Sequence, residues 1–165
     1  MAVMNLAMFL SVLFAFIISC TKNNVDSLPK ADASSVNKTL LLQLVNEVRQ
    51  KGCNCGDQYY PAVSPLTWNE KLEAAATSHS VDMYNKNYFS HTSPDGSNAG
   101  KRIQRAGYVW TTYGENIAFG YNNERELIEG WLQSPTHCGN IMGRHFKEMG
   151  VGRSGTYWTQ DFGSR

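Results

Sequence analysis

The 165-residue chain has room for one ordinary domain. With 42% hydrophobic and 18% charged residues it has the composition of a globular protein, not a disordered one. A net charge of +1 with no Lys/Arg run leaves no electrostatic footprint for nucleic acid, so no nucleic-acid partner is expected.

Residues 1–19 carry no charged side chain, and Leu6 to Ile18 form an apolar stretch of signal-peptide length, short for a bilayer span. The segment ends in "FIISC", which resembles the lipobox of bacterial lipoproteins, in which the cysteine, here Cys20, is acylated and becomes the first residue. That resemblance implies an extracytoplasmic protein held to a bacterial membrane by lipid, at the outer membrane or cell surface. Residues 20–36 are polar and include a proline, and they read as a flexible tether from lipidated Cys20 to a domain over 37–165.

The domain opens with "NKTLLLQLVNEVRQKG", where Leu41, Leu44, Val45 and Val48 fall on one helical stripe that Gly52 can end. In the second helix Asn69 is the expected N-cap, and Leu72, Ala75, Ala76, His79 and Met83 form the inward stripe. His79 is therefore expected to be a hydrogen-bonded core residue. "KRIQRAG" reads as a short basic helix with Gly107 just past its end. "YVWTTYGENIAFG" reads as extended chain broken by a turn at Gly114. Asn123 and Glu126 resemble a capping box for a helix that buries Leu127, Ile128, Trp131 and Leu132 and stops at Pro135. The last segment is two extended runs joined at Ser154-Gly155, so helices interleave with antiparallel strands in an α+β pattern.

Four histidines are present. His91 and His137 are expected in loops, where functional groups held by a scaffold concentrate, and His145 reads as a surface residue. Glu115 stands apart from the other carboxylates because "GENIA" sets it between a turn glycine and a strand.

"YFSHTSPDG", "YGENIAFG", "WLQSPTHCGNI" and "MGVGRSGTYWTQDFG", in that order after two amphipathic helices, resemble the CAP superfamily of cysteine-rich secretory, antigen 5 and pathogenesis-related 1 proteins, and its bacterial SCP-like extracellular members. The resemblance implies a three-layer α-β-α sandwich with a central antiparallel sheet. Its open cleft gathers two histidines and two glutamates and in some members holds a divalent metal. By position His91, Glu115 and His137 match three of the four, and Ser134 stands where the family has its second glutamate.

Two imidazoles and one carboxylate are a candidate zinc site with an open position for water, although the i,i+4 histidine pair of tight zinc sites is absent. With Cys20 lipidated, Cys53, Cys55 and Cys138 remain, an odd number in an oxidising compartment. A Cys53–Cys55 bridge would be strained, whereas either residue could pair with Cys138 in a long-range disulfide worth about 2–4 kcal/mol. A metal knuckle of the three sulfurs is the rival. Cys138 as a protease nucleophile finds little support, because neighbours in a loop commonly point their side chains apart.

Three functions follow. The first is non-catalytic binding of a small ligand, a lipid, a glycan or a peptide in the cleft. A second is a hydrolase in which Glu115 or a histidine activates water. Last comes an interaction module built on exposed Tyr59, Tyr60 and Trp110. Binding without turnover is preferred, chiefly because Ser134 replaces the second carboxylate and no G-x-S-x-G motif surrounds it.

Overall fold

The computed structural model describes residues 35–165, and the signal segment, Cys20 and most of the tether lie outside them. Helix α1 (Lys38–Lys51) starts at Asn37, whose side chain accepts from the Leu40 amide, and ends at Gly52 with φ +74°. Leu41 and Val45 are fully buried, with Leu44 and Val48 packed at the edge of the same apolar cluster. A short hairpin follows, β1 (Cys53–Cys55) with β2 (Gln58–Tyr60), and then β3 (Thr67–Trp68). Helix α2 (Glu70–Lys86) is capped by Asn69 and buries all five residues of the expected stripe.

Next come α3 (Ala99–Arg105), β4 (Thr112–Phe119), α4 (Glu124–Gln133), α5 (Pro135–Ile141), β5 (Glu148–Ser154) and β6 (Tyr157–Ser164). The main sheet has the order β3-β5-β6-β4. It is antiparallel except that β3 runs parallel to β5, a departure from the all-antiparallel expectation. Helices α2 and α3 cover one face and α1, α4 and α5 the other, which is the α-β-α sandwich expected.

Three local expectations are corrected. Gly114 makes no turn, because β4 runs through it in register with Phe162. The glycine serves packing: a Cβ there would lie 2.7 Å from the Phe146 ring. "SPTHCGNI" is also not a loop, because Pro135 ends α4 and at the same time opens α5, where its missing N–H costs nothing. The final hairpin turns at Gly155, φ +57°, one residue later than the sequence suggested.

The faces of the sheet differ. Met149, Val151, Trp158 and Phe162 point into the large apolar cluster with α1, α4 and α5. On the other face Gly150 and Gly152 let α2 lie directly on β5, since a Cβ on either would come within 2.1 Å of an α2 backbone nitrogen. Thr159 there meets Ser80 of α2 at 2.9 Å.

Candidate functional site

Glu115 sits on β4, an outer strand of the main sheet, opposite Asp161 of β6. Its side chain is 3% exposed, and both oxygens are engaged: Oε1 accepts from His91 Nδ1 at 2.7 Å, and Oε2 accepts from an Arg102 guanidinium nitrogen at 2.5 Å. His91 is in a loop, as expected, and exposed. Because Nδ1 is spent on Glu115, the carboxylate fixes the ring and leaves Nε2 for solvent or a ligand.

Two buried groups, His79 and Arg102, hold the His91 loop. His79 is fully buried, with Nε2 2.9 Å from the Ser90 carbonyl and Nδ1 3.5 Å from Ser93 Oγ, the core role expected for it. Burial pushes its ring below the usual imidazole range. Arg102 donates to the carbonyls of His91 and Ser97 at 3.1 and 2.9 Å and to Ser93 Oγ at 3.2 Å, so one guanidinium ties the loop to Glu115.

His137 comes from α5, on the other side of the sheet. Asn116 donates to the His137 carbonyl at 3.2 Å, and Asn140 donates to the Glu115 carbonyl at 3.2 Å, which docks α5 on β4. At the far end of α5, buried Arg49 donates to the Ile141 carbonyl at 2.6 Å, where a cation suits a helix C-terminus. Burial, and secondarily the charge of nearby His91, hold His137 below the usual imidazole range, so it is neutral at pH 7. Ser134 is the joint between α4 and α5, one turn before His137, with no side-chain cap bond.

The structure therefore joins His91 to Glu115 and sets His137 near enough to His91 to feel its charge, and it adds two residues the sequence did not single out. Arg102 neutralises Glu115. Asp161 is fully buried with neither carboxyl oxygen hydrogen-bonded, and burial together with the adjacent Glu115 charge pushes it well above the usual carboxyl range. Both causes favour its protonated form. No sequence pattern marks either residue, since both acquire their roles from neighbours brought in by other elements.

Both Glu115 oxygens already accept a hydrogen bond, so a metal here would draw first on the two imidazoles. Among the described residues, Cys53, Cys55 and Cys138 are the group of three or more whose donor atoms lie close enough to share an ion. Two of those sulfurs are joined, Cys55 to Cys138, which is one of the two expected pairings.

Exposed aromatics lie on the same side of the sheet as Glu115. Phe89 is two residues before His91, and Phe119 lies on β4, on the same side of the strand as Glu115. Ring centroids are 6.4 Å apart for Phe89 and Phe119, 4.6 Å for Phe119 and Tyr157, and 6.1 Å for Tyr157 and Tyr84. The row is distinct from the expected patch, of which Tyr59 and Trp110 are exposed and Tyr60 is half-buried; Trp110 also packs on Tyr113 and donates to the Gly100 carbonyl. Behind Arg102 a separate cavity of about 520 Å³ opens between α2, α3 and residues 93–97, and none of His91, Glu115 and His137 lines it.

Residues 42–162 match the model of the cysteine-rich secretory protein family, CAP. The chain belongs to that family. Over 143 residues it is 34% identical to YkwD of Bacillus subtilis (strain 168), covering 86% of this chain and 52% of that protein. Over 122 residues it is 31% identical to the membrane protein YlbC of the same organism, covering 74% and 33%. The CAP chain thus spans about half, or less, of the length of the curated relatives it matches.

Among solved structures it is similar to an extracellular SCP-domain protein from Bacillus anthracis str. Ames, with TM-score 0.68, 31% identity, and coverage of 77% of this chain and 40% of that one. An outer surface protein from Borrelia burgdorferi aligns with TM-score 0.69 at 20% identity over 82% of this chain and 98% of that one, a likeness of fold.

Proposed function

We propose that this CAP domain is an extracytoplasmic binding module, lipid-anchored through Cys20, whose His91–Glu115–His137 cleft holds a ligand without turning it over. The observation that carries the reading is the double engagement of Glu115. With one oxygen on His91 and the other on Arg102, the carboxylate orients an imidazole and is paired with a cation, an arrangement suited to positioning more than to proton abstraction. What remains open is a pair of imidazole edges beside a row of exposed aromatic rings. That combination suits an elongated ligand with polar groups for the histidines and a flat or apolar portion for the rings, such as a glycan or peptide. The extracellular B. anthracis relative and the apolar segment ending at Cys20 support the location.

The test is titration of soluble envelope glycan fragments, short peptides and lipid vesicles against isotope-labelled protein. One class should shift the His91, His137 and Phe119 signals together and remain chemically intact. If all three leave those signals unmoved, or if one is cleaved, the reading is overturned. Labelling with palmitate in cells, lost in Cys20→Ser, checks the anchor.

Hydrolysis stays as a second reading because an imidazole held by a carboxylate, with Nε2 outward, is the geometry of a general base for water. Turnover that disappears in His91→Ala with the fold intact would favour it.

A further inference from the structure

The Cys55–Cys138 bridge has a third sulfur against it. Cys53 and Cys55 are two apart on β1, so their side chains share a side of the strand. Cys53 Sγ lies 3.7 Å from Cys138 Sγ and 3.9 Å from Cys55 Sγ. Among the described residues Cys53 is the free thiol.

We propose that these three sulfurs form a thiol–disulfide exchange site, in which the bridge to Cys138 passes between Cys55 and Cys53. Cys53 gives its proton to solvent and its thiolate attacks Cys138 Sγ. The Cys53–Cys138 bond forms as the Cys55–Cys138 bond breaks, and the electron pair leaves on Cys55, which takes up a proton. One disulfide and one thiol stand on each side of the step, so no outside oxidant or reductant is needed. Attack on Cys55 instead would close a bridge between residues two apart, which disulfide geometry disfavours.

Cys53 is nearly equidistant from the two bridged sulfurs and so lies beside the bond, not on its axis. Exchange therefore needs a small shift of β1. That strand has three residues and pairs with the equally short β2, outside the main sheet, where such a ribbon has little to hold it rigid. Burial pushes the Cys53 thiol up, which slows the step at neutral pH.

The two states differ in what they present to the outside. In the form seen here the free thiol is Cys53, half-buried at a cavity of about 210 Å³ lined by Val48, Lys51, Asn54 and Leu132. After exchange it is Cys55, 3% exposed within the apolar cluster. The site thus alternates between a thiol open to an external thiol or disulfide reagent and one sealed from it.

The full chain, purified without reductant, is incubated between pH 6 and 8.5, quenched in acid, denatured, blocked with a maleimide and digested with trypsin. Cys53 and Cys55 fall on one peptide between Lys51 and Lys71, apart from Cys20 and Cys138, and fragmentation of that peptide locates the label. Label is expected on both cysteines, approaching its final ratio at a rate independent of protein concentration and rising about tenfold per pH unit below the thiol's ionisation. In Cys55→Ser, Cys53 and Cys138 should pair. Label confined to Cys53 at every pH, or two free thiols in folded Cys55→Ser, overturns the proposal. Should that variant not fold, the wild-type map decides alone.

Discussion

The face of the sheet under α1, α4 and α5 is held by burial: Leu41, Val45, Leu127, Trp131, Ile141, Trp158 and Phe162 form one apolar cluster, braced by the disulfide. The face under α2 and α3 has a smaller cluster of Leu72, Ala75, Ala99, Ile103 and Tyr108. It relies on close approach over Gly150 and Gly152 and on hydrogen bonds through His79, Ser80 and Arg102. One side can absorb changes of shape, because apolar groups of similar volume interchange at modest cost. The other cannot, because a lost partner leaves a buried polar group orphaned. Glu115 lies on β4, where the two meet, with His91 reaching it from the polar side and His137 coming from a helix on the apolar one.

The largest test of this contrast is Arg102→Met. It strands the Glu115 carboxylate in the interior and is expected to cost about 3–5 kcal/mol in chemical denaturation. Adding Glu115→Gln should recover part of the loss, since no buried charge then remains. Across the sheet, Cys138→Ser removes both pairings and should cost about 2–4 kcal/mol while leaving the His91 signals in place.

Gly152→Ala probes the close approach of α2. Its Cβ would meet the Thr77 backbone nitrogen at 2.1 Å, and a loss toward the upper end of about 1–3 kcal/mol is expected in the same measurement. A subtler signature belongs to Asp161. Its carboxyl is raised in the folded state, so the associated stability is complete below the ordinary carboxyl range and drains away as pH climbs through the raised value. Melting curves of wild type and Asp161→Asn should therefore diverge toward alkaline pH, with the variant showing the flatter profile. The smallest effect on stability is expected for Phe119→Ala, within about 0.5 kcal/mol because the ring is exposed, yet it should weaken ligand binding at the cleft.

Periodicity exposed α1, α2 and α4 because their apolar stripes repeat at the helical spacing, and Asn69 and Asn123 added local cap signals for α2 and α4. It failed at α5, where one proline both stops a helix and starts the next, and where seven residues are too few to show a stripe. Gly114 misled for a related reason: its lack of a side chain answers to the Phe146 ring, 32 positions away, and not to a local bend. His91, Glu115 and His137 were found by family resemblance, not by any property of their immediate neighbours. Arg102 and Asp161 were beyond both approaches. A basic residue in "KRIQR" and an acid in "TQDFG" look like solvated charges until the fold sets each of them against Glu115.

The bridge to Cys138 also has a topological meaning. His91, Glu115 and His137 all lie between the residues it joins, so the segments that build the cleft belong to one covalent ring, and this holds whether Cys55 or Cys53 closes it. A protease that nicks the exposed stretch around His91, the kind of surface loop such enzymes favour, would yield two fragments still fastened to each other. For a domain proposed to work outside the cell, where cleavage is common and repair is not, that keeps a cut molecule in one piece.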